Sequence, residues 1–146
     1  MDETKLYDVG YSEIKDVNLL LRVAKKLDAI VVDARFSPRS RNPTWNQGNL
    51  KSLLKDRYEH VQEIGNKNYH GGPIEFVDVD EGVEQVSNLL MLKSVILMCM
   101  CPNRDKCHRT EFARIFEQRT GIQSTPLYLE YCQELVGDNS QLKLFE

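Results

Sequence analysis

Residues 94–121 read SVILMCMCPNRDKCHRTEFARIFEQRTG, and the class of fold turns on this stretch. Val95 to Cys101 is an unbroken apolar run, the composition of a strand covered on both faces. Beyond the polar turn, Phe112, Ile115 and Phe116 recur at helical spacing, and Gly121 supplies a C-terminal stop. A doubly buried strand that turns into an amphipathic helix is the repeating half of a parallel α/β sheet.

The same alternation extends outward in both directions. AIVVDARF (29–36) is a second β-branched, apolar run that suits a buried strand. Before it, Ile14, Val17, Leu21, Ala24 and Leu27 keep helical spacing, with Ser12 expected as the N-cap. Lys5 to Val9 is expected to form a short strand ending at Gly10. Asn46 to Arg57 should be helical, Tyr58 to Gly65 a short strand, and Glu81 to Leu92 an amphipathic helix. The alternating segment Ile74 to Val79 follows a bend at Gly71-Gly72-Pro73. PLYLEY (126–131) either adds a last strand or runs into a terminal helix through Val136. The expectation is an α/β, Rossmann-like three-layer fold with a mainly parallel central sheet. One domain should span residues 1–136, with a flexible tail over 137–146.

A chain of 146 residues is long enough to bury a core. Its net charge of −3 excludes a protein that coats nucleic acid with its whole surface. Arg35, Arg39, Arg41, Lys51, Lys55 and Arg57 face a single acid, Asp56, within their span. That surplus makes either a confined positive field or a solvated loop and helix face. MDETKLYDVG has no apolar secretory core, and the longest apolar run is too short to cross a bilayer. Clustered cysteines do not form a secreted disulfide framework, so a reducing cytoplasm and no membrane partner are expected.

In parallel sheets, ligands sit outside the carboxyl ends of the strands. Three polar clusters fall at such ends: Gly10–Ser12, Asp33–Arg41 and Cys99–Arg109. The topology should bring them to one edge.

Within the third cluster, Cys99, Cys101, Cys107 and His108 are four donors in ten residues. Zinc sites usually offer two ligands separated by two to four residues, twice over. Here Cys107 and His108 are adjacent on a helix, where neighbours diverge by roughly 100°, so the spacing argues against zinc. No metal or cofactor is assigned. A thiol is the second reading. Cys107 at the helix start, near Arg104, Lys106 and Arg109, should ionise easily, whereas Cys99 and Cys132 suit small buried hydrophobes. Arg109 in a first helical turn opposes the helix dipole, which makes sense if it faces a bound anion or a carboxylate such as Asp33. His108 should point towards the sheet, as an orienting core histidine or a catalytic one. A cysteine-phosphatase loop has a similar architecture, but four residues between Cys99 and Arg104 break its register.

GYS (10–12), DARFSPRSR (33–41), YEHVQEIG (58–65) and MC…CHR (98–109) occur in this order. Together they resemble the domain of unknown function 488 family, with its G-Y-S, D-V-R-x-x-P-x-S-R, Y-x-H-x-x-x-L-G and C-x-E…C-H-R, over about residues 5 to 125. The resemblance implies an α/β fold with these motifs at one site, and no established reaction. Cys101 stands where the family usually carries Glu, and Asn66 where it carries a second glycine. On this reading Cys107, Asp33 and His108 are the candidate catalytic residues. Asp33 orients an arginine, and Cys107 is either nucleophile or shape-setting thiol. Ser12, Arg35, Ser40, Arg41 and Arg109 are the candidate anion-binding residues.

The chain ends in QLKLFE after the polar GDNS (137–140). Gln141, Leu142, Leu144 and Phe145 either dock on the domain itself or bind a partner. QLKLF resembles the peptide by which many bacterial proteins bind the replication sliding clamp. Clamp binding would place the chain near DNA, and the basic stretch with Trp45 would then suit phosphate backbone or an exposed base. Three functions follow: a cysteine-dependent enzyme on a nucleotide or nucleic acid, a non-catalytic DNA and clamp adaptor, or a zinc-stabilised interaction domain.

Overall fold

Strand β4 (Ser94–Cys99) lies at the centre of a five-stranded sheet in the computed structural model, which describes residues 3–101 and 104–137. It pairs with β1 (Leu6–Gly10) on one side and β2 (Ala29–Asp33) on the other. The edges are β3 (Tyr58–His60) beside β2 and β5 (Ser124–Pro126) beside β1. All pairings are parallel, in the order β3-β2-β4-β1-β5. The fold is a three-layer α/β fold with a parallel sheet.

Period-two alternation divides the core between the two faces. Tyr7, Val9, Val31, Ile96 and Met98 pack on one face against α1 (Tyr11–Ile14), α2 (Val17–Leu27), α3 (Gln47–Leu54) and α6 (Leu129–Leu135). Leu6, Ile30, Val32, Val95 and Leu97 pack on the other against α4 (Val79–Leu90) and α5 (His108–Thr120). Connections leaving β1 and β2 thus run over one face, and those leaving β3 and β4 over the other. The chain diverges at the carboxyl end of β4, where a parallel sheet opens a crevice.

Several elements differ from the sequence expectation. The first helix is broken: Lys15 takes a left-handed conformation with φ 59°, and Asp16 rather than Ser12 caps α2 by accepting from Asn18 N and Leu19 N. Helix α3 stops at Leu54 and a 3-10 turn over Lys55–Arg57 follows. Strand β3 is only three residues long, because its edge position offers one partner. Ile74–Val79 is not a strand; its pairing is one antiparallel bridge between Asn66 and Phe76. PLYLEY divides between the end of β5 and the start of α6. Gly121 closes α5 with φ 78°. Among the described residues no helix is long and apolar enough to cross a membrane. The tail residues Gln141, Leu142, Leu144 and Phe145 lie outside the described residues.

Candidate functional site

Asp33 ends β2 on the face occupied by α1 and α3, because it keeps phase with Val31. Fully buried, it holds Arg35 in a two-pronged ion pair, accepting from Nε at 2.8 Å and Nη2 at 2.7 Å. Tyr58, from the neighbouring β3, donates its hydroxyl to Asp33 Oδ2 at 2.5 Å. Burial, then the Asp33 charge, pushes the Tyr58 pKa up, so it stays a donor. Burial alone would discourage the Arg35 charge, but Asp33 outweighs it and the guanidinium stays protonated. Beneath Arg35 the Tyr11 ring lies 5.3 Å from Cζ and stacks on Trp45 at 4.6 Å. Trp45 is therefore a core residue and not part of an exposed nucleic-acid surface. The 3-10 turn over Pro43–Trp45 folds its indole inward.

The loop after β2 is held carbonyl by carbonyl. His108 Nε2 donates to Ala34 O at 2.7 Å, His60 Nε2 to Arg35 O at 2.8 Å, and Gln62 Nε2 to Phe36 O at 3.0 Å. A Cβ on Gly65 would lie 2.6 Å from Phe36 Cα, so only glycine permits this approach. Tyr58, His60 and Gly65 thus all act on residues 33–36. Sequence reasoning quoted their motif without assigning these roles.

A second buried knot lies on the opposite face. Asp8 keeps phase with Leu6, and Cys99 with Leu97, so both point towards α5. Arg109, with 0 % exposure, donates from Nε to Asp8 Oδ1 at 3.2 Å and from Nη1 to Cys99 Sγ at 3.1 Å. Arg104 pairs with the same Asp8 oxygen at 2.5 Å, and Ser124 Oγ donates to Oδ2 at 2.5 Å. Arg109 thus faces a carboxylate, as expected, but that carboxylate is Asp8 and not Asp33. Strand alternation puts Asp33 on the other side of the sheet. A Cβ on Gly10 would lie 2.6 Å from Cys101 O and 3.0 Å from Arg109 Nη1, which explains a glycine there. Ser12 Oγ donates to Met100 O and ties α1 to the loop after β4.

The three thiols converge above this knot. Cys99 and Cys107 Sγ lie 2.8 Å apart, and the Cys99, Cys101 and Cys107 sulfurs are all within 4.8 Å of one another. Linear spacing does not show this convergence of sulfurs. A 3-10 turn over Arg104–Lys106 folds the chain back and returns Cys107 beside Cys99. Cys107 caps α5, accepting from Arg109 N at 3.4 Å, and is 2 % exposed. The Cys101 and Cys99 thiols, helped by His108 and Arg109, lower its pKa against the effect of burial. Burial, reinforced by Cys101 and Cys107 and opposed by Arg109, raises Cys99. Burial opposes the His108 charge, but contacts with Cys101 and Cys107 outweigh it and lift its pKa to about 9.

A cavity of about 380 Å³ opens at this edge. Arg35, Arg39 and Lys106 supply its cations, and Cys101 and His108 lie at its wall. Phe36 and Tyr69 stack within it at 5.7 Å between centroids. No acidic residue lines it among the described residues. Tyr69 rides on a loop that Asn66 organises, its Oδ1 accepting from Asn68 N and Glu75 N at 3.0 Å each.

The candidate residues therefore separate by depth. Arg35 and His108 reach the cavity, whereas Asp33, Cys107 and Arg109 lie beneath it. Ser40 belongs to an adjacent depression, its N–H bonded to Asn46 Oδ1 at 2.6 Å, and Arg41 is exposed outside the cavity lining. Asp8, Phe36 and Tyr69 were missed, whereas Arg104 and Lys106 were expected only as charges beside Cys107. Of those missed, only Asp8 left a signal, as an acid inside the apolar run of β1.

No curated protein and no solved structure matches the chain. The family model for the domain of unknown function DUF488 matches residues 21–116, a span that takes in the Asp33 loop, the Tyr58–Gly65 motif and the Cys99–Arg109 turn but begins after Gly10–Ser12. With these motifs packed around one edge, the chain belongs to the DUF488 family.

Proposed function

We propose that the cavity binds a phosphate-bearing nucleotide, free or as an exposed unit of a nucleic acid. The observation that carries this reading is the pairing of unopposed cations with a stacked aromatic pair. Arg35 is neutralised by Asp33, so Arg39 and Lys106 provide the net positive charge for phosphate. Phe36 and Tyr69 offer the faces on which a base stacks. A volume of about 380 Å³ is within the range of small-ligand sites. Four free thiols suit a reducing cytoplasm. Through Gln141, Leu142, Leu144 and Phe145 the chain would bind a bacterial sliding clamp and so act in DNA maintenance. Fluorescence anisotropy with a 5′-phosphorylated single-stranded oligonucleotide over a salt series tests the cavity. Binding that ignores both salt and the Arg39→Ala, Lys106→Ala pair overturns it.

A cysteine-dependent reaction is the second reading, favoured by the half-buried Cys101 at the cavity wall beside Cys107 and His108. Cys101 would meet the substrate, and Cys107 and His108 would hold the proton. Alkylation of the intact protein should then mark Cys101 first. Uniformly slow labelling of all four thiols would remove this reading.

A further inference from the structure

We infer that Cys99, Cys101, Cys107 and His108 form a closed binding site for a divalent thiophilic cation, of which zinc is the fitting example. The three sulfurs already lie within 4.8 Å of one another. His108, next in the chain to Cys107, lies outside that 4.8 Å group and becomes the fourth donor as the cluster rearranges around the ion. Its Nε2 is committed to the Ala34 carbonyl at 2.7 Å, so Nδ1 is the nitrogen left to ligate. A ligating histidine that donates its other ring N–H to a backbone carbonyl has its tautomer and orientation set.

The outer contacts suit coordinated sulfur as well. Arg109 donates from Nη1 to Cys99 Sγ at 3.1 Å and from its backbone N–H to Cys107 Sγ at 3.4 Å. Among the described residues its Nη2 has no acceptor, leaving spare donor capacity beside the cluster.

Charge selects the ion. Asp8 carries one negative charge against the two positive charges of Arg104 and Arg109, a surplus of one. Three thiolates and a divalent ion sum to −1 and cancel it, whereas a monovalent ion leaves −2. Sulfur and imidazole together favour zinc over magnesium or calcium. Two sulfurs about 2.3 Å from a tetrahedral centre lie about 3.8 Å apart, so the Cys99–Cys107 pair at 2.8 Å opens by about 1 Å on binding. The ion would pin the loop after β4 to both the sheet and Ala34. It would form part of the cavity wall without depending on what the cavity binds.

The test uses the full chain, purified with a phosphine reductant and no chelator. Elemental analysis should find about one zinc per chain. Cobalt exchanged into the site should show thiolate-to-metal charge transfer and tetrahedral visible bands. Cys101→Ser should weaken zinc binding at least about tenfold. Cys132→Ser, which removes a buried cysteine outside the cluster, should leave the stoichiometry unchanged. Wild-type protein that takes up neither metal overturns the inference, whether its four thiols titrate freely or its mass shows the two-hydrogen loss of a disulfide. Equal zinc in wild type and Cys101→Ser also overturns it. Because wild-type uptake is read without any nucleotide, failure here is distinct from failure of the nucleotide reading.

Discussion

Tyr58 and Asp33, on adjacent parallel strands, share a 2.5 Å hydrogen bond between phenol and carboxylate, and through it β3 helps fix the loop that carries Arg35. The acid, arginine and tyrosine form one buried unit with Asp33 as the shared acceptor.

Removing the shared acceptor should be the costliest change. Asp33→Ala leaves the Arg35 guanidinium buried and uncompensated, at about 3–5 kcal/mol. Tyr58→Phe removes one donor to a charged acceptor, at about 1.5–3 kcal/mol. Urea denaturation checks both values, and a Tyr58→Phe cost equal to that of Asp33→Ala would contradict a hub at Asp33.

Two glycines should respond oppositely to alanine. Gly65→Ala drives a Cβ against Phe36 backbone, which cannot rotate away, and should cost about 1–3 kcal/mol. Gly48 lies in α3 with nothing within 4 Å of its would-be Cβ, so Gly48→Ala should stabilise by about 0.5–1 kcal/mol. Thermal melts of the two variants read the sign directly.

If Arg39 and Lys106 contact phosphate, each alanine variant should flatten the salt dependence of single-strand binding by about 0.7 in the log–log slope. Arg57→Ala serves as the control, because Arg57 pairs with Asp28 outside the cavity.

Clamp binding, if the tail carries it, should be lost in Phe145→Ala while oligonucleotide affinity at the cavity is kept. Surface plasmon resonance on an immobilised bacterial clamp measures the first. An undiminished Phe145→Ala response would leave the self-docking account of the tail.

Alkaline pH should destabilise the fold through Cys132. Burial, then Glu13, raises this thiol from the ordinary 9.0 to about 11, so folding favours its neutral form. The benefit is fully present below the unfolded pKa and is lost as pH rises through the folded one. Stability should therefore fall between about pH 9 and 11. Cys132→Ala should reduce that slope in denaturant midpoints without abolishing it, since burial also raises Tyr7 and Tyr58.

The helix and strand periods of residues 14–36 and 94–121 were legible because each reports local burial. Less legible were the elements whose form depends on a distant partner. Ser12 has the chemistry of an N-cap, yet Met100 O takes its hydroxyl from 88 residues away. Ile74–Val79 alternates like a strand but has no sheet edge to join beyond the Asn66–Phe76 bridge. Trp45 sits among basic residues in sequence and inside the core in space.

By itself the sequence determined the α/β class and the gathering of three polar clusters at one edge, because apolar runs and helical stripes select a parallel sheet whose strand ends coincide. Tertiary structure decided how those clusters pair. The order β3-β2-β4-β1-β5 sets Gly10 beside Cys99, and the pleat sends Asp8 and Asp33 to opposite faces. Arg109 therefore meets Asp8, Arg35 meets Asp33, and a turn that linear spacing cannot report brings three sulfurs to one point.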